Sequence, residues 1–209
     1  MAAADVASGR ASGRQDLLRL AGWGALLAPM GIVLHELGHL FVGISLGYPV
    51  RLNVGSVSGG PKLGSATDVD VALQASAGPL VTIILMAIAA WGLTKFPGSR
   101  WAFALAITAP LRFIVGGVFL FWVAKAWFEN AAFQGTPNFD EYNAALALGL
   151  SPVWLVAIQI CGLLAFWIWA ITRPMSRGMI VSIASVLVGG IIGIAMWMAL
   201  VGPAILGRA

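Results

Sequence analysis

Long apolar runs alternate along this chain with short polar intervals, and the runs set its architecture. Five of them stand at about 18–47, 75–95, 101–128, 152–171 and 179–206. A helix rises about 1.5 Å per residue, so each is long enough to cross a hydrocarbon core of about 30 Å. The first exceeds that need. It must tilt, bend or protrude, and Pro29 with Gly31 offers a bend about one turn ahead of His35. Residues 1–17, rich in Ala, Gly, Ser and Arg, read as a flexible tail, and 18–209 as a single transmembrane domain. The expected class is an all-α polytopic membrane protein of about five transmembrane helices, with a short β-like or re-entrant segment after the first.

The polar intervals carry the finer detail. Alternation over Arg51-Leu52-Asn53-Val54-Gly55-Ser56-Val57 predicts a short strand that Ser58-Gly59-Gly60-Pro61 would turn; an ordinary connecting loop is the alternative. The interval, about 27 residues, is too short for a separate folded domain. The second run opens on Ala77-Gly78-Pro79. Proline suits a first helical turn, and the Gly-Pro pair also lets backbone approach a buried site or leaves carbonyls free to line it. In the third run Lys125 can snorkel to the interface. Arg112, near the middle, is expected to face the bundle and pair with a carboxylate or carbonyls, contact with a functional site being the alternative. The interval 129–151 holds Thr136-Pro137-Asn138-Phe139-Asp140-Glu141-Tyr142-Asn143 and then a helix-like stretch at 144–150, which Asp140 or Asn138 would cap. Ser185, Gly189 and Gly193 recur four apart, a stripe suited to close helix contact within the chain or with a partner in a membrane complex.

Composition fits this picture and removes other classes. Of 209 residues, 60% are hydrophobic and 10% charged, too apolar for a soluble globular domain. The net charge of +4 is spread among the ends of apolar runs, so no basic face for nucleic acid is expected. Those charges bear on orientation instead. With an odd number of spans, one side receives Arg10, Arg14, Arg19, Lys95, Arg100, Arg173 and Arg177, and the other Arg51, Lys62, Lys125 and Arg208. The positive-inside rule then puts the amino terminus in the cytoplasm. Cys161 is the single cysteine, which excludes an intramolecular disulfide and a cysteine metal site. No cleavable signal peptide is expected, since the first apolar run is too long for a signal core.

The chemistry concentrates in His35-Glu36-Leu37-Gly38-His39, set inside the first run. Positions four apart on a helix differ by about 40° around the axis, so both imidazoles project from one face toward one metal. Glu36 lies about 100° away and, in this HExxH pattern, acts as general base and not as ligand. Chance is a poor account. The chain has two histidines, which random placement would set four apart about 1% of the time, and an intramembrane ionisable group costs roughly 2.5–3.5 kcal/mol. A catalytic zinc takes three protein ligands, and no further histidine exists, so a carboxylate must complete the set. Asp68, Asp70, Glu129, Asp140 and Glu141 are the candidates. Asp140 has the best context, between Pro137 and a helix start, with Glu141 as runner-up.

The HELGH segment in a membrane span, Gly78-Pro79 at the next span and Pro137-Asn138-Phe139-Asp140 before a further helix together resemble the site-2-protease family of intramembrane zinc metalloproteases. The likeness covers about two thirds of the chain, without a PDZ-type domain. It implies His35, His39 and Asp140 as zinc ligands and Glu36 as general base, acting on peptide bonds in or near transmembrane segments of protein substrates. Leu52, Asn53 and Val54, on a strand edge that would pair with substrate backbone, and Gly78 and Pro79 are then the candidate substrate-binding residues. Members carry Asp-Gly where this chain has Asp140-Glu141, and an Asn where it has Thr82. Bacterial relatives open the site toward the cytoplasm, the reverse of the charge count, and their residence suggests a bacterial cytoplasmic membrane. The alternative function is a noncatalytic, protease-like subunit of a larger membrane complex; a zinc transporter fits less well, as no internal repeat is evident.

Overall fold

A computed structural model describes residues 2–131, 137–173 and 178–206, with side chains from 14 onward. Arg177 and Thr136 lie outside the described residues, as does Arg208. The helices run in the order α1 (Ala2–Ser45), α2 (Asp68–Lys95), α3 (Arg100–Thr108), α4 (Ile114–Phe128), α5 (Asp140–Ala147), α6 (Pro152–Ile171), α7 (Met179–Met196) and α8 (Gly202–Leu206). A two-stranded hairpin, β1 (Arg51–Leu52) and β2 (Val57–Ser58), stands between α1 and α2. Among the described residues five helical stretches are long and apolar enough to cross a membrane, and the protein is a membrane-embedded helical bundle. Large apolar side chains such as Phe41, Leu80, Trp154, Ile158, Ile180 and Ile191 point outward. Water would not tolerate that surface, whereas lipid matches it.

Proline interrupts two of the spans and is absorbed in a third. The third crosses as Arg100–Phe128, but a 3₁₀ turn at Ala109–Phe113 separates α3 from α4. Pro110 has no N–H to give the Ala106 carbonyl, and the Trp167 indole of α6 donates to that oxygen instead, at 3.1 Å. In the fifth span a π turn at Trp197–Val201 joins α7 to α8 just before Pro203, which likewise cannot donate. The first span passes through Pro29 as one continuous helix. Gly193 of α7 lies against the Ala25 carbonyl, which Pro29 leaves without a helical partner. Gly189 lies against the Ala21 carbonyl and Gly24 against the Val186 carbonyl, so the small-residue stripe of the fifth span packs within the chain. Leu20, Leu27, Leu85, Phe103, Ile107 and Val186 form the buried core around this seam.

Three expectations need correction. The stretch read as a flexible tail belongs to α1 from Ala2 onward, where Ala2, Ala3 and Ala4 favour helix, and Asp16 anchors it by an ion pair with Arg100 at 2.6 Å. The second span starts at Asp68 and not near 75. Thr67 accepts from the Asp70 N–H at 3.2 Å, and Asp68 and Asp70 sit at the positive end of the helix. The single strand expected over 51–57 is a hairpin with Arg51 opposite Ser58 and Leu52 opposite Val57. Its turn closes through the Asn53 N–H to the Ser56 carbonyl at 2.8 Å. The Trp197 indole donates to the Val54 carbonyl at 2.7 Å, tying the hairpin tip to the π turn. Lys125 pairs with Glu129 at 2.7 Å.

The five spans put the hairpin and α5 on one side and the α2–α3 connection, with Gly98, on the other. The positive-inside rule predicts that alkaline phosphatase fused after Gly64 is active and that a fusion after Gly98 is inactive. The reverse pattern would place the hairpin and α5 in the cytoplasm.

Candidate metal centre

Helical spacing brings His35 and His39 together, and the rest of the bundle turns their outer nitrogens to one place. The Nε2 atoms lie 3.2 Å apart. Asp140 Oδ2 lies 2.9 Å from the first and 3.2 Å from the second. Asp140 is the first residue of α5; Phe139 in extended conformation precedes it, so neither Asp140 nor Asn138 caps this helix by a side chain. The Phe139 ring packs beside Phe119 and Tyr142, which fixes the start of α5 against α4. The three donors fall within 4.8 Å of one another.

The inner ring nitrogens explain why the outer ones are aimed so. His39 Nδ1 donates to the Gln74 carbonyl at 2.6 Å. A carbonyl can only accept, so the neutral ring has its proton on Nδ1 and a bare lone pair on Nε2, as a metal ligand requires. His35 Nδ1 meets Thr82 Oγ1 at 2.9 Å, and both His35 and Thr82 are buried. Gly78, between these α2 positions, lies so close to the imidazoles that a methyl there would stand 2.5 Å from His35 Nε2 and nearer still to His39 Nε2. The Thr82 hydroxyl can accept from His35 Nδ1 as the Gln74 carbonyl does from His39, and in that tautomer both Nε2 lone pairs face the Asp140 carboxylate, an arrangement that a cation among them would relieve. The donor set therefore fits a metal ion of the nitrogen- and oxygen-binding kind.

Glu36 is buried beside this cluster without joining it. Arg112, carried by the 3₁₀ turn, donates to Glu36 Oε1 at 2.6 Å, and the Val57 backbone N–H faces the same carboxylate. The two carboxyls of α5 part company. Asp140 Oδ2 faces the two imidazoles, 2.9 Å from His35 Nε2 and 3.2 Å from His39 Nε2. Burial pushes Glu141 up, against the hydrogen bond it accepts from Gln159 at 2.7 Å. Glu141 thus turns toward α6, and Asp140 is the carboxylate of the cluster. The remaining candidates are engaged elsewhere: Asp70 accepts from the Tyr48 hydroxyl at 2.9 Å, Glu129 pairs with Lys125, and Asp68 lies in the first turn of α2.

Two cavities adjoin the centre. One, of about 450 Å³, is polar and reaches Glu36, His39, Arg112, Asp140, Lys62 and the 56–61 arm of the hairpin. The other, of about 760 Å³, is an apolar cavity open on the outward surface of the bundle and lined by Phe41, Leu73, Leu80, Leu155 and Ile158, with Pro79 in its wall. Of the residues expected to meet substrate, Leu52, Asn53 and Val54 do not line the polar cavity. Leu52 pairs with Val57, and the Val54 carbonyl is taken by Trp197. The Asn53 amide reaches Ser58 Oγ at 3.3 Å, so the arm that lines the polar cavity is the opposite one. Gly78 packs on the imidazoles, while Pro79 faces the apolar cavity.

Comparisons with protein-family models, with curated proteins and with solved structures find no match. The site therefore rests on its own geometry. Thr82, the Gln74 carbonyl and the pairing of Arg112 with Glu36 are the parts that sequence reading did not assign. Thr82 stood out only as a departure from a family pattern, and a backbone carbonyl leaves no signature in a sequence.

Proposed function

We propose that this chain is an intramembrane zinc metalloprotease of the site-2-protease kind, residing in a bacterial cytoplasmic membrane. The observation that carries this reading is the convergence of His35, His39 and Asp140 within a membrane-spanning bundle, with Glu36 buried beside them and a polar cavity reaching all but His35. His35, His39 and Asp140 would hold the ion. Bound there, zinc supplies a Lewis acid that polarises a scissile carbonyl and makes water a better nucleophile near neutral pH. Glu36 takes the proton from the attacking water and returns it to the leaving amine. Gln74 and Thr82 hold the imidazoles in register. The apolar cavity suits the apolar part of a transmembrane substrate, and the 56–61 arm offers backbone to an unwound stretch entering the polar one.

The reading is tested by comparing cleavage of membrane proteins by the chain and by its Glu36→Gln variant in the same membrane; equal cleavage by both would overturn it. The ligand assignment has its own check in chelator competition. Asp140→Asn is expected to weaken zinc binding beyond the 10–100-fold that loss of an outer partner typically costs, and Glu141→Gln to change it less than about threefold. Equal losses in the two variants would return Glu141 to the ligand set.

A further inference from the structure

Arg112 is the one feature of the centre that a minimal hydrolytic metal site does not require. It lies inside a membrane span, where an arginine is expensive, and its Nη2 is 2.6 Å from Glu36 Oε1 and 4.0 Å from Asp140 Oδ2. One guanidinium therefore touches the base and approaches the ligand carboxylate. A residue serving only to pin α1 to the third span would bury itself against Glu36, yet Arg112 is 34% exposed and lines the polar cavity.

Charge is what this arrangement changes. Glu36 and Asp140 contribute two negative charges and Arg112 one positive. With a divalent cation held by His35, His39 and Asp140, the cluster carries one positive charge in excess; without the guanidinium it would be neutral. We propose that Arg112 sets the charge of the metal centre, giving up some affinity for the cation so that the polar cavity receives an anionic group beside it. In a peptide hydrolase that group is the oxygen of the scissile carbonyl, which gains negative charge as water adds. The charge inference rests on the metal site of the proposed function and not on its proteolysis.

The two effects of removing the guanidinium have opposite signs, which separates them from misfolding. The full chain, Arg112→Gln and Arg112→Lys are purified in nanodiscs. Zinc affinity is read by chelator competition, and affinity of the zinc-loaded chains for acetohydroxamate, bound as its anion after its proton is lost to buffer, is read against neutral imidazole at the same alkaline pH. Arg112→Gln is expected to bind zinc at least threefold more tightly and acetohydroxamate at least tenfold more weakly, with imidazole unchanged within threefold. Arg112→Lys should restore most of the acetohydroxamate affinity. Zinc affinity that falls, or acetohydroxamate affinity that holds, in Arg112→Gln would overturn the inference, as would parallel loss of all three ligands, the sign of a structural role. A wild-type chain that binds no zinc would overturn both this inference and the proposed function. Normal binding with no cleavage by any form would remove the protease reading alone.

Discussion

Glu36→Gln should lower peptide-bond cleavage by about 10²–10⁴-fold, the range associated with a lost general base, and leave zinc content unchanged. Both halves follow from where the side chain sits. Glu36 is buried next to the donor cluster but contributes no atom to it, so an isosteric amide leaves His35, His39 and Asp140 in place. The amide oxygen can still accept from Arg112 where Glu36 Oε1 now does at 2.6 Å, which keeps α1 tied to the third span. What the amide cannot do is take a proton from water and give it back. Zinc measured by elemental analysis and cleavage measured in the same preparation decide the matter. Loss of zinc in the variant would mean that Glu36 belongs to the ligand set, and unchanged proteolysis would remove the mechanism.

How much of this could be read from the chain depends on the range over which each part is determined. His35 and His39 meet because a helix repeats, and that is written locally. The apolar runs are equally local, since each must satisfy its own backbone in lipid, and five spans follow. The absence of a third histidine reaches only as far as a carboxylate, and the Pro137 context favours Asp140 among five candidates, with Glu141 next. The rest required the tertiary fold. Alternation over 51–57 has the same period in one strand as in a hairpin, and the pairing of Leu52 with Val57 and the Asn53 N–H on the Ser56 carbonyl show where the chain turns back. Nothing near Arg112 in sequence names Glu36 as its partner across 76 positions. The apolar run begins later than α2 itself, because Asp68 and Asp70 lower the apolar signal that marks a span although they stabilise a helix start.

Gly78→Ala is expected to abolish high-affinity zinc binding, by more than about 100-fold, in a chain that still folds, because it presses a methyl against both donor nitrogens. The added carbon would stand 2.5 Å from His35 Nε2 and closer to His39 Nε2. Zinc–nitrogen bonds are about 2.0–2.1 Å, so methyl and metal compete for the same space. The rings cannot swing aside freely. His35 is held by Thr82 at 2.9 Å and His39 by the Gln74 carbonyl at 2.6 Å, and releasing either leaves a buried polar group unpaired, at about 1–3 kcal/mol. Overpacking costs a similar amount, roughly 1–3 kcal/mol, against a typical total stability of about 5–15 kcal/mol. The bundle can bear that strain, and the metal geometry cannot. Gly117→Ala is the matched control, since its methyl would meet only Ile160 Cδ1 at 3.9 Å. Chelator competition on both variants, with thermal unfolding of each zinc-free chain, gives the comparison. Wild-type zinc affinity in Gly78→Ala would show that the ion does not lie between α2 and the two imidazoles, and a collapse of the zinc-free fold would show that Gly78 serves packing first.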